Sequence, residues 1–167
     1  GLGTYKPLSN KISYVIEIIK LNSNFYELNK KGYLVSIFNE YKKQINNLSS
    51  FKTSNSLLYI LASLFAEQNN FNDSLILNEN NFIIESSNSN IFLLHNQKII
   101  TPPLTSGCIK GIMRNVIFNL LKDLNIEIVE RNITEKDLEI SDEIFLTNVV
   151  NGISWVGGYK QIRYYNN

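Results

Sequence analysis

One cysteine, one histidine, one methionine and one tryptophan occur in 167 residues, with only three prolines. A single Cys108 excludes an intrachain disulfide and points to a reducing compartment, so the expected location is the cytoplasm. His95 and Cys108 are the only soft ligands, too few for a zinc site, and no metal is expected. His95 reads as a turn residue, because no nucleophile-and-base partner accompanies it. No apolar run reaches the roughly 18–20 residues of a membrane span. The first residues, Gly1-Leu2-Gly3-Thr4-Tyr5, are neither basic nor followed by an apolar stretch of signal-peptide type. Neither charge sign dominates: 16 Lys plus Arg face 15 Asp plus Glu, a net +1, which excludes the strong basic footprint of a nucleic-acid or anionic-membrane binder. No Gly-x-Gly-x-x-Gly or P-loop pattern follows a strand. Met113 lies deep in the chain, so Gly1 is read as something other than an ordinary translation start.

What is present suits one folded domain. Hydrophobic residues make up 44% and charged residues 19%, ordinary for a globular chain. A chain of this size buries roughly two-thirds of its unfolded surface. The β-branched run Ile12–Ile19 predicts a strand, with a turn at Leu21-Asn22-Ser23-Asn24. Further strands are expected at Tyr33–Phe38, Ser74–Leu77, Phe82–Glu85, Asn90–Leu94, Ile126–Val129, Glu143–Leu146 and Ile153–Val156. A helix over Ser56–Gln68 follows the capping residues Thr53, Ser54 and Asn55. A second begins at Gly111, with Ile112, Val116, Leu120 and Leu121 as its buried stripe. Thr134, with Asp137 three residues on, caps a short third helix. Pro102-Pro103 interrupts the chain between them. Strands interleaved with helices, some of them in hairpins, predict a mixed α/β domain and not a doubly wound parallel sheet.

Three stretches carry chemistry. Lys52 follows an aromatic residue and precedes a helix start, a placement suited to an amine tethered at a pocket floor. Glu85 ends the apolar strand Phe82-Ile83-Ile84 and enters a small polar loop that Asn90 is expected to fix. Gly111, Ile112 and Met113 open a helix whose free amides and dipole suit an anion, and Gly111 lets that anion approach closely. Arg114 could add charge there, and Cys108 reads as a small, part-buried neighbour.

In this order the residues resemble the class IV, fold-type IV pyridoxal-phosphate enzymes: branched-chain aminotransferases, D-amino-acid aminotransferases and aminodeoxychorismate lyases. The resemblance runs from about Lys52 to Tyr159. Lys52 with Asn55 looks like the Schiff-base lysine motif. Glu85 with Asn90-Ile91-Phe92 looks like the glutamate facing the pyridine nitrogen. Ser106–Arg114 looks like the phosphate cup, and Asp142–Asn148 like the strand leading to a second phosphate-side loop, which brings in Asn148. The implied fold is the large domain of this group, a mixed sheet or pseudo-barrel with flanking helices spanning 1–167. A small N-terminal domain lies outside it. The implied cofactor is pyridoxal 5'-phosphate, the implied substrate a small amine, and the implied assembly a homodimer.

Two departures refine the reading. Thr147-Asn148-Val149 replaces the Ser/Thr-Gly-Thr run usual in the aminotransferases, and no aromatic residue follows Lys52 as in branched-chain enzymes. Both are more similar to the lyases. The expected activity is therefore conversion of 4-amino-4-deoxychorismate to 4-aminobenzoate and pyruvate for folate synthesis. Branched-chain or D-amino-acid transamination, or a fold without turnover, are the alternatives.

Overall fold

The computed structural model describes residues 5, 7, 9, 11–21 and 25–165. Nine strands form one mixed sheet: β1 (Tyr33–Lys43), β2 (Asp73–Asn78), β3 (Ile83–Ser86), β4 (Asn90–His95), β5 (Lys98–Thr101), β6 (Ile128–Glu130), β7 (Glu143–Asn148), β8 (Gly152–Tyr159) and β9 (Ile162–Arg163). Helices α1 (Leu57–Gln68), α2 (Ile112–Asp123) and α3 (Glu135–Ile140) complete the fold. The order across the sheet is β3-β2-β1-β8-β7-β4-β5-β6, with β9 paired to β8. Helix α1 crosses over between the parallel pair β1 and β2, and α2 between the parallel pair β5 and β6. The remaining neighbours are antiparallel except β1 and β8.

The two ends of this order meet. The amide of Ile83 in β3 donates to the carbonyl of Ile133, three residues past β6, at 2.8 Å. The sheet therefore curls into the expected pseudo-barrel. Alternation along the strands fills both of its faces. Ile37, Leu75, Ile83 and Ile91 point into the main core with Leu138 and Ile144. Their neighbours Phe38, Ile76 and Ile84 pack under α1 with Ala62, while Phe92 packs under α2 with Ile117 and Leu121. Strand β2 is buried throughout, its apolar Leu75-Ile76-Leu77 flanked by the buried polar Asp73, Ser74 and Asn78. Phe92 and Phe145 stack at 5.0 Å between centroids across the β4–β7 ladder.

Several expectations are corrected. Residues 12–19 form no strand: Ile12, Val15 and Ile18 are each at least 89% exposed, with no ladder partner among the described residues. β-propensity needs a neighbour to pair with, and here none is supplied. Three residues of the turn expected at 21–24 lie outside the described residues. Helix α1 starts at Leu57 behind Ser56, and no side chain of Thr53, Ser54 or Asn55 caps it. Its Leu57, Ile60 and Leu64 are exposed, while Ala62 and Ala66 are buried. Helix α2 is rotated by one residue from the expected stripe. Ile112 is 73% exposed, and Met113, Arg114, Ile117 and Leu121 are buried. Both i, i+4 rows are apolar in the sequence, so periodicity alone could not choose between them. Strand β5 and the short β9 had no sequence expectation. His95 ends β4 instead of occupying the turn that follows it.

Helix α3 does have its capping box. Thr134 Oγ1 accepts from the Asp137 amide, and the Asp137 carboxylate accepts from the Thr134 amide at 2.7 Å.

Candidate functional site

The site is built where the crossovers leave the sheet. Glu85 lies on β3 beside a bulge: Ile76 pairs with Glu85, but the next pair is Leu77 with Ile83. Such a bulge re-aims a side chain. The Glu85 carboxylate is buried, and both of its oxygens accept hydrogen bonds. Its Oε1 accepts from Lys43 Nζ at 2.8 Å and from Tyr59 OH at 2.7 Å. Its Oε2 accepts from the Ile109 amide at 2.8 Å. Burial pushes the Tyr59 hydroxyl far up, and the adjacent Glu85 charge adds to it. Burial likewise pushes the Cys108 thiol up to about 11, with Glu85 contributing again. Cys108 is thus an inert packing residue, its Sγ near the carbonyls of Pro102 and Pro103.

The loop after Glu85 is braced from below. Buried Asp73 accepts from Ser86 Oγ at 2.6 Å and from Ser87 Oγ at 2.7 Å. Burial pushes its pKa above the usual carboxylate value, an effect these serine hydrogen bonds partly offset. Asn90, expected to fix this loop, acts one element further on. Its Nδ2 donates to the Ile109 carbonyl at 2.8 Å, tying β4 to the approach of α2.

Helix α2 opens with a glycine cap. Gly111 has no side chain to offer, and the first helical bond runs from the Asn115 amide to the Gly111 carbonyl. The amides ahead of it therefore remain available for an acceptor outside the helix. A Cβ on Gly111 would stand 2.1 Å from Asn90 Oδ1. With the Asn90 side chain in this place, position 111 has room for glycine alone. Arg114 does not add charge to this end: its buried guanidinium binds the Pro102 carbonyl and Glu130 and covers the Phe118 ring at 4.4 Å.

A cavity of roughly 310 Å³ brings these parts together. Lys52, Glu85, Asn90, Gly111, Ile112, Met113 and Asn148 line it, while Asn55, Cys108 and Arg114, also named in the sequence, do not. Lys52 is exposed at its edge, not on its floor, and its ammonium has no ion pair or hydrogen bond among the described residues. Asn148 turns its side chain into the loops: Nδ2 donates to Ser89 Oγ at 2.9 Å, and Oδ1 accepts from the amides of Val150 and Asn151.

Three lining or supporting residues had no role in the sequence reading. Tyr59 lies in an apolar run that reads simply as helix core. Lys43 is one of two ordinary lysine pairs. Thr147 lines the cavity with its hydroxyl buried and without a hydrogen-bond partner among the described residues. The loop around Thr147 was legible; the orphaned hydroxyl was not.

The fold and sequence have clear relatives. A protein of Legionella pneumophila, provisionally named a 4-amino-4-deoxychorismate lyase, superposes with a TM-score of 0.77 at 29% identity, over 85% of this chain and 53% of that one. The branched-chain amino acid aminotransferase of Escherichia coli superposes with a TM-score of 0.74 at 26% identity, over 79% of this chain and 45% of the other. In sequence, the branched-chain-amino-acid aminotransferase of Salmonella typhimurium is 31% identical over 93 residues, 56% of this chain and 30% of its own. The chain thus spans about half the length of the solved relatives and matches about a third of the curated one. The model of the amino-transferase class IV family matches residues 9–157, and the chain belongs to that family of pyridoxal-phosphate-dependent enzymes.

Proposed function

We propose that this chain is the large, cofactor-holding domain of a lyase that converts 4-amino-4-deoxychorismate to 4-aminobenzoate and pyruvate. The observation that carries the cofactor assignment is the cavity itself. It offers an unengaged amine at Lys52, a buried carboxylate at Glu85, and an uncapped helix start at Gly111 beside the unpartnered Thr147 hydroxyl. The donor set matches an anionic phosphate at one end and a protonated ring nitrogen at the other. Pyridoxal phosphate therefore fits these residues.

When bound, the cofactor supplies an aldehyde for the substrate amine and a ring that withdraws electrons from the carbon bearing it. The chain's residues do the rest. The amides of Ile112 and Met113, with Thr147 Oγ1, hold the phosphate. Glu85 holds a proton at the ring nitrogen. Lys52 moves the proton at the amine-bearing carbon, as a base close to its substrate. Asn148 fixes the loop on the phosphate side through Ser89. Ile109, Ile112, Met113 and Val149 keep part of the pocket apolar.

The lyase reading is favoured over transamination by the compact lysine motif, with Asn55 three residues after Lys52 and no aromatic residue just after it. Asn148-Val149 in the second loop points the same way, as does the likeness to the Legionella protein. Transamination of branched-chain amino acids is the second reading, favoured by the names of the Salmonella and Escherichia relatives. A homodimer, with a preceding small domain completing the substrate pocket, belongs to either reading.

The test is the full-length protein with aminodeoxychorismate. We expect 4-aminobenzoate and pyruvate to form, no 2-oxoglutarate-dependent conversion of branched-chain amino acids, and a loss of at least about 100-fold in Lys52→Ala. Undiminished turnover in that variant would remove Lys52 from the mechanism. Transamination without 4-aminobenzoate would establish the second reading.

A further inference from the structure

Lys52 and Lys110 line the cavity and Lys43 stands behind Glu85, and the fold treats Lys52 and Lys43 differently. Lys52 lines it and is uncommitted. Lys43 does not line it, and is drawn inward by an irregularity in β1. Phe38 pairs with Ile76, but the next pair is Lys43 with Asn78, so five residues of β1 pass two of β2. This bulge delivers a lysine from a strand otherwise exposed at that end into a site where its side chain is only 12% exposed. There Nζ donates to the Ser49 carbonyl at 2.8 Å and to Glu85 Oε1 at 2.8 Å, and lies 5.4 Å from the Tyr59 ring centroid.

The consequence falls on Glu85. Its carboxylate, 3% exposed, is gripped from three elements: Lys43 on β1, Tyr59 on α1, and the Ile109 amide before α2. Three donors leave room for one more along the remaining lone pairs. We propose that Lys43 is a positioning residue that acts through Glu85: it fixes the plane of that carboxylate, shares its charge, and so sets how strongly the site holds a proton on the ring nitrogen of a bound pyridine ligand. The proposal rests on the cofactor assignment above.

The direction follows from charge. With Lys43 present, the carboxylate is partly neutralised, and a protonated ring nitrogen feels a nearby ammonium. Without it, the whole carboxylate charge faces the ring. The other groups facing Glu85 are the neutral Tyr59 hydroxyl on α1 and the Cys108 thiol before α2, while Lys52 and Lys110 line the shared cavity. Neutral Lys43 variants leave all of these in place, so the change is attributable to one charge.

The experiment is a pH titration of the absorbance of pyridoxal phosphate bound to the full-length protein. It compares wild type with Lys43→Met, Lys43→Gln and Lys43→Arg. The neutral glutamine retains a donor for Glu85 and guards against misfolding of the methionine variant. We expect the midpoint for loss of the ring-nitrogen proton to rise by about 1–3 units in the neutral variants, the usual range for one nearby charge. Arginine should restore the wild-type midpoint. Bound cofactor whose midpoint is unmoved in both neutral variants, or unrestored by arginine, overturns the proposal alone. Wild-type protein that takes up no pyridoxal phosphate overturns the cofactor assignment and this proposal with it.

Discussion

Replacing Gly111 with alanine places a methyl group 2.1 Å from Asn90 Oδ1, with Asn90 Cγ at 3.3 Å and Arg114 Cβ at an ordinary 3.7 Å. The backbone does not object, since Gly111 sits at φ −69°, ψ 144°, open to any residue. The obstacle is the asparagine. Its side chain could swing away only by giving up the 2.8 Å bond to the Ile109 carbonyl. Relieving such a clash costs about 1–3 kcal/mol, and the lost hydrogen bond about 1 kcal/mol. The stiffer unfolded chain returns about 0.4–1 kcal/mol. The net expectation is destabilisation by about 1–3 kcal/mol, or a Tm lowered by about 2–4 °C for each kcal/mol in a chain of this size. Pyridoxal-phosphate affinity should fall with it, because the helix start moves. Asn90→Ala opens the space the methyl group needs, so the two changes are coupled through a shared contact. A thermal-melt cycle of wild type, both single variants and the double variant should show the pair costing about 1–3 kcal/mol less than the sum of the singles, the clash term removed. Strictly additive effects, or a Gly111→Ala variant with unchanged Tm and affinity, would refute the reasoning.

Two further outcomes are expected. Thr147→Val removes a buried hydroxyl that has no partner, so it should leave the Tm unchanged or slightly higher while weakening pyridoxal-phosphate binding about tenfold, the equivalent of one charge-assisted hydrogen bond; a lowered Tm with unchanged affinity would contradict this. Asp137 should contribute to acid stability. Burial opposes its ionisation, but hydrogen bonds from Arg131 and Thr134, with the Arg131 charge, outweigh it and hold the carboxyl at about 2. A depressed carboxylate contributes fully above its unfolded value near 3.9 and loses that contribution as pH falls toward 2. Asp137→Asn should therefore lower the Tm at pH 6 and have little further effect near pH 2, as followed by circular dichroism melts across that range.

Much of the site was legible because its chemistry is local. A glycine before an amphipathic run marks an uncapped helix start wherever it falls, and Gly111 opens α2 as its sequence requires. Thr134 and Asp137 form their capping box within one turn. Lys52, Glu85 and Asn148 could be chosen by residue type and neighbours, and the curled sheet then lines one cavity with all of them. Long-range pairing was not legible in the same way. The run Ile12–Ile19 has every local attribute of a strand and forms none among the described residues, since a ladder is made by two partners and the sequence names only one. In α2, two apolar rows compete, and Arg114 packing on Phe118 and Glu130 decides which one turns inward.

By itself, then, the sequence marked most of the elements, the family resemblance and the side chains that line the cavity, because each depends on spacing within a few residues. Only the tertiary structure decided that Lys43 belongs to Glu85, that Tyr59 does too, and that Thr147 is left with a hydroxyl to offer. Those relations join β1, α1, β3 and β7 across the barrel, and those of Lys43 and Glu85 pass through register shifts in β1 and β3 that leave no periodic mark on the chain.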